Sequence, residues 1–115
     1  MECPVDYTLC RQTVTVYHRE DGQVTRLVVP GCFYSYEQHL DTQLSGQHSD
    51  VRFLLVMPGS PQRVFPGDRV YDGIGPEQVD WGKFLPGLIP GLAEAAYAKA
   101  WCWNGRICHV EAGRK

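Results

Sequence analysis

Residues 13–29, TVTVYHREDGQVTRLVV, decide the fold. Asp21-Gly22 is a two-residue turn whose twist suits paired antiparallel strands, and both flanks are rich in β-branched residues. Counting outward from the turn sets Val16 opposite Leu27 and Val14 opposite Val29 on one face. Tyr17, Arg19 and Arg26 fall on the other. One apolar face and one mixed face predict a hairpin packed on a core from a single side.

The segments downstream extend this pattern. Pro30-Gly31 predicts a turn into the aromatic strand Cys32-Phe33-Tyr34-Ser35-Tyr36. Residues 37–50, EQHLDTQLSGQHSD, are polar apart from Leu40 and Leu44 and read as a loop with room for one helical turn. Val51–Met57 reads as a buried strand ended by Pro58-Gly59. Pro66-Gly67 suits the centre of a type II turn leading into a short strand at Val70-Tyr71. Residues 73–91 form a Gly/Pro-rich loop that also holds Trp81, Phe84, Leu85, Leu88 and Ile89, so it must pack onto something. That something is either its own domain or a neighbouring subunit.

At the C-terminal end, alanines at 92–101 favour helix, whereas Tyr97, Lys99, Trp101 and Trp103 alternate with small residues and Asn104-Gly105 is a strong hairpin turn. The hairpin is the preferred reading, with a helix at 92–100 as the alternative. It pairs Trp103 with Arg106, Cys102 with Ile107 and Trp101 with Cys108. The whole chain is therefore expected to be one mainly β domain over 1–115. Its architecture is a small antiparallel β-barrel or sandwich of six to seven short strands, with at most one short helix.

Composition narrows the function. Eleven basic against 13 acidic residues give a net charge of −2, which disfavours a protein that binds nucleic acid by neutralising many phosphates. No stretch approaches the ~20 apolar residues of a membrane-spanning helix. Met1-Glu2-Cys3-Pro4 lacks the basic start of a secretory leader, and five irregularly spaced cysteines suit reduced thiols better than a disulfide framework. The expected place of synthesis is the cytoplasm.

Sites for chemistry are scarce. Cys102-x5-Cys108-His109 lacks the local ligand pairs of structural zinc, and no local signature marks a cysteine–histidine nucleophile. Asp72-Gly73-Ile74-Gly75-Pro76 lacks both phosphate-loop patterns. Asp68 and Asp72 are the only tidy carboxylate pair, and both fall at turns. Neither an enzyme nor a cofactor or metal is expected. Tyr34, Tyr36, Trp101, Trp103 and Arg106 could form a base-stacking platform, which supports a small-barrel binding module for single strands or a small ligand as the alternative function.

Three longer runs carry a family resemblance. Thr13-Val14-Thr15-Val16-Tyr17-His18-Arg19 with Gly31-Cys32-Phe33-Tyr34, then Val64–Gly73, then His109-Val110-Glu111-Ala112-Gly113 resemble small proteins of prophage structural gene clusters. Such proteins are of the minor capsid, head–tail joining or minor tail type. The resemblance spans most of the chain, with 37–50 standing where those proteins carry a longer insertion. It implies a virion-assembly protein, made in the bacterial cytoplasm, that acts as a small β-barrel in a homo-oligomeric ring beside neighbouring head or tail proteins. Phe84, Leu85, Leu88 and Ile89, together with loop 37–50, are the expected assembly surface.

Overall fold

The computed structural model describes residues 5–43 and 46–114. Seven antiparallel strands build it: β1 (Gln12–Glu20), β2 (Gln23–Gln43), β3 (Gly46–Pro58), β4 (Arg69–Asp72), β5 (Leu92–Glu94), β6 (Tyr97–Trp103) and β7 (Arg106–Arg114). They form one sheet in the order β5-β4-β1-β2-β3-β7-β6. Strands β5 and β6 lie at opposite ends of that order yet are joined by only Ala95 and Ala96. The sheet must therefore curl enough to bring the end of β5 next to the start of β6, although these two strands do not pair with each other. Ala95 bridges the gap by donating to Asp68 and accepting from Gly67, while Ala96 donates to Gly113.

The β1–β2 hairpin has the register counted from Asp21-Gly22, with Val16 opposite Leu27 and Val14 opposite Val29. Asp21 and Gly22 both take positive φ, as the turn requires. Pro30-Gly31, expected as a turn, instead bends one continuous strand. Residues 23–32 of β2 pair with β1 and residues 33–43 pair with β3. Gly31 sits at the changeover with φ of 72°, a conformation open to glycine and strained for most side chains.

The polar segment 37–50 is likewise no loop. It continues β2 and β3 as a paired ribbon from Glu37↔Arg52 out to Gln43↔Gly46, with Leu44 outside the described residues. Among the described residues none is helical, and 92–100 lies in β5 and β6. Alanine's helix propensity loses here because the small side chains Ala93, Ala95, Ala98 and Ala100 line the tight inner wall of the curl. In the last hairpin a bulge between Trp101 and Cys102 moves the pairing by one residue, so Trp101 faces His109 rather than Cys108.

The main core fills the concave side: Val14, Val16, Val29, Tyr34, Phe53, Leu55, Met57, Val70 and Val110 are all buried. Within Val51–Met57, read from sequence as a buried strand, Val51, Phe53, Leu55 and Met57 are buried on this side while Arg52 and Leu54 face out, so the burial is one-sided. The supposed mixed face of the first hairpin is the larger surprise. Thr15 and Tyr17 are fully buried, while Leu27 is 43% exposed beyond the end of the core.

Loop 73–91 covers that outer face. Its Phe84 packs edge-on against Tyr17 with ring centres 4.8 Å apart, and Leu92, Tyr71, Val79, Trp81 and Ile89 complete a second, smaller core. Polar groups on β1 and β2 hold the start of the loop. Thr15 donates to the Gly73 carbonyl and accepts from the Gly75 amide; Tyr17 donates to Pro76 and Arg26 to Gly75. A Cβ on Gly75 would sit 2.3 Å from the Tyr17 hydroxyl, so the crossing needs glycine.

Arg69, only 7% exposed, fastens the far end. Its guanidinium donates to the carbonyls of Trp81 (2.7 Å) and Phe84 (2.6 Å), lies 3.7 Å from the Trp81 ring centre and pairs with Glu94. Replacing Arg69 with Met strands both carbonyls and should cost about 3 kcal/mol. The expected readout is a lower urea midpoint together with new proteolytic cleavage between 74 and 91. An unchanged midpoint would refute the clasp.

Candidate assembly surface

The two segments named from sequence as contact surfaces meet in the structure. At the root of the β2–β3 ribbon the Gln38 side chain donates to the Gly87 carbonyl at 3.1 Å. Gly87 lies in a tight turn in which Leu88 and Ile89 both donate to the Leu85 carbonyl. The turn and the ribbon are thus neighbours, although 49 residues separate Gln38 from Gly87.

The four apolar residues of the expected surface separate on burial. Phe84 is 5% exposed and belongs to the loop's core, and Ile89 packs partly against the same cluster. Leu88 is 71% exposed and Leu85 is half-buried. Phe84 is therefore a packing residue, and Leu88 is the member that faces solvent. The reason is local. With Gly87 at φ of 91°, the 85–89 turn leaves Leu88 at its outer corner.

The proposed aromatic platform does not assemble. Tyr34 and Tyr36 pack on the concave core, whereas Trp101 stacks over His109 on the convex face with ring centres 6.0 Å apart. Lys99 lies 5.0 Å from the Trp101 ring, and Trp101 and Trp103 are each nearly half exposed. Sequence alternation along β6 signalled this pair, but the barrel wall separates it from the tyrosines. Beside it, Tyr7 of the N-terminal segment hydrogen-bonds His109 Nδ1 at 2.6 Å. Between that segment and the sheet lies an open groove of about 290 Å³ lined by Val5, Leu9, Phe33, Leu54 and Val56.

Titratable groups are engaged structurally. Asp68 is buried, with one oxygen bonded to His18 Nδ1 and the other accepting from the Phe65 amide. It thereby ties β1 to the Pro66-Gly67 turn. Burial pushes the Cys32 thiol up to about 11 and the Cys10 thiol upward as well, the wrong direction for a nucleophile. Cys10, Cys32 and Cys102 are free, but Cys108 is disulfide-bonded, which corrects the expectation of reduced thiols throughout. Cys3 lies outside the described residues. Among the described residues no three metal-binding side chains converge.

No protein-family model, curated protein or solved structure matches the chain.

Two predictions follow from these placements. Phe84→Ala should cost about 3 kcal/mol by opening the loop core, whereas Leu88→Ala should stay within about 0.5 kcal/mol of the parent; urea titration compares them. The two histidines should act oppositely on stability. The Asp68 hydrogen bond raises the His18 pKa, so its contribution is complete below ~6.5 and is lost as pH rises through the folded value. Burial lowers the His109 pKa, so stability falls as acid protonates the unfolded chain first. Between pH 8 and 5, His18→Gln should lose more stability than the parent and His109→Gln less.

Proposed function

We propose that this chain is a structural protein of a phage or prophage particle, placed at the head–tail connection or the tail end, and that it works by ring-type self-assembly. The observation that carries the reading is the β2–β3 ribbon. Beyond Phe53, which pairs with Arg114, β3 has only β2 as a partner among the described strands. Seven paired rows then run from Glu37↔Arg52 to Gln43↔Gly46, a reach of about 20 Å at strand spacing.

Val51 roots the ribbon in the main core, and a lone two-stranded hairpin is marginal in water. A neighbouring subunit that covers it supplies the missing contact. The molecule measures 54 × 31 × 21 Å with a radius of gyration of 15.0 Å, against about 13 Å for a compact chain of this length. An elongated projection from a small barrel suits a part that reaches from one subunit to the next. The resemblance to prophage structural proteins and the exposed Leu88 beside the ribbon root point the same way. The competing binding-module reading keeps one observation in its favour, the exposed Trp101 and Trp103 with Lys99.

The register provides the test. Gln38 and Val51 are paired, so Asn-Gly can replace residues 39–50 and close the hairpin at the barrel wall. The parent should scatter light as a ring-sized oligomer, and the shortened chain as a folded monomer with little change in urea midpoint. Filter binding to single-stranded oligonucleotides over a salt series tests the rival. A parent that stays at the 13.0 kDa monomer mass and binds oligonucleotide with micromolar, salt-sensitive affinity would overturn the assembly reading.

A further inference from the structure

We infer that the β2–β3 ribbon of one copy docks along the outer edge of β6 of the next copy, as an added strand. This inference rests on the assembly reading and names the two surfaces that meet. Strand β6 is the last in the sheet and pairs with β7 alone among the described strands. Its seven residues therefore present one row of backbone donors and acceptors to the outside. The ribbon's β3 portion, Gly46–Arg52, presents a row of the same length, because β7 begins to pair only at Phe53. Strand addition would satisfy both rows at once.

Charge favours this pairing over a symmetric one. Residues 37–52 carry Glu37, Asp41 and Asp50 against Arg52 alone. Strand β6 itself carries Lys99 and no carboxylate, with Glu111 of β7 opposite Lys99 and Arg106 just past the turn. Ribbon against ribbon would set acid on acid, and β6 against β6 would bring Lys99 near its own copy, so each symmetric arrangement is opposed by like charge. Ribbon on β6 joins two different surfaces, which is the heterologous contact that closes into rings. Trp101 and Trp103, nearly half exposed on β6, then gain cover from the docked ribbon.

Cys102 is an exposed free thiol on β6 and supplies a built-in probe. In the full-length Cys10→Ser background, Ser49→Cys treated with copper phenanthroline should give a ladder of disulfide-linked oligomers on non-reducing gels. Adding Cys102→Ser should abolish it. Lys99→Glu should weaken association at least tenfold by light scattering, and Asp50→Lys in the same chain should restore it; urea midpoints confirm that each variant folds. A ladder that persists without Cys102, or crosslinking that stops at a dimer, overturns this docking while leaving self-assembly intact. Oligomers that resist Lys99→Glu do the same. A parent that is monomeric at every concentration overturns the assembly reading and this inference with it.

Discussion

A buried arginine holds the second layer of this molecule in place. Arg69 projects from the outer face of β4, where Tyr17 of β1 is its neighbour in register, and reaches the carbonyls of Trp81 and Phe84 while lying on the Trp81 ring. A guanidinium taken out of water must have its donors matched, and here the loop backbone together with Glu94 does so. With the loop secured, Phe84 and Leu92 cover Tyr17, and the part of the sheet around β1 and β4 is covered on both sides. Glu94 also pairs with Arg114, so the same cluster links β4, β5 and the end of β7.

The fastened loop carries consequences for the projecting ribbon. Because Phe84 is anchored, the turn that follows it is held where Gly87 accepts from Gln38 at the ribbon root. Gln12 adds support from another direction. Its side-chain amide both accepts from and donates to the Tyr34 backbone, as an adjoining strand would, just where β1 ceases to pair with β2. The ribbon thus leaves the barrel from a braced base.

How much of this was legible varies with the range of the deciding contact. The first hairpin could be read to the residue because Asp21-Gly22 sets its twist locally and β-branched flanks follow. The all-β character and strand number followed from similar signals at Asn104-Gly105 and Pro66-Gly67. The ribbon was not legible, since residues 37–50 are polar and poor in β-branched side chains; their extended form comes from pairing with each other. Nor was the fate of the apolar loop. Phe84 and Leu88 are equally hydrophobic in sequence, and only the Arg69 contacts and the turn at Gly87 send one inward and the other out.

Sequence alone determined the elements whose geometry is set by neighbours within a few residues: the turns at Asp21-Gly22 and Asn104-Gly105, the register of the first hairpin and the choice of strand over loop at β-branched runs. Tertiary structure decided three things. These are the continuation of β2 through Pro30-Gly31, the one-residue bulge that brings Trp101 over His109, and the covering of the hairpin's polar face. The first and the last depend on partners tens of residues away, the bulge lies within a single hairpin, and a face counts as inside or outside only once the sheet has curled and the loop has closed over it.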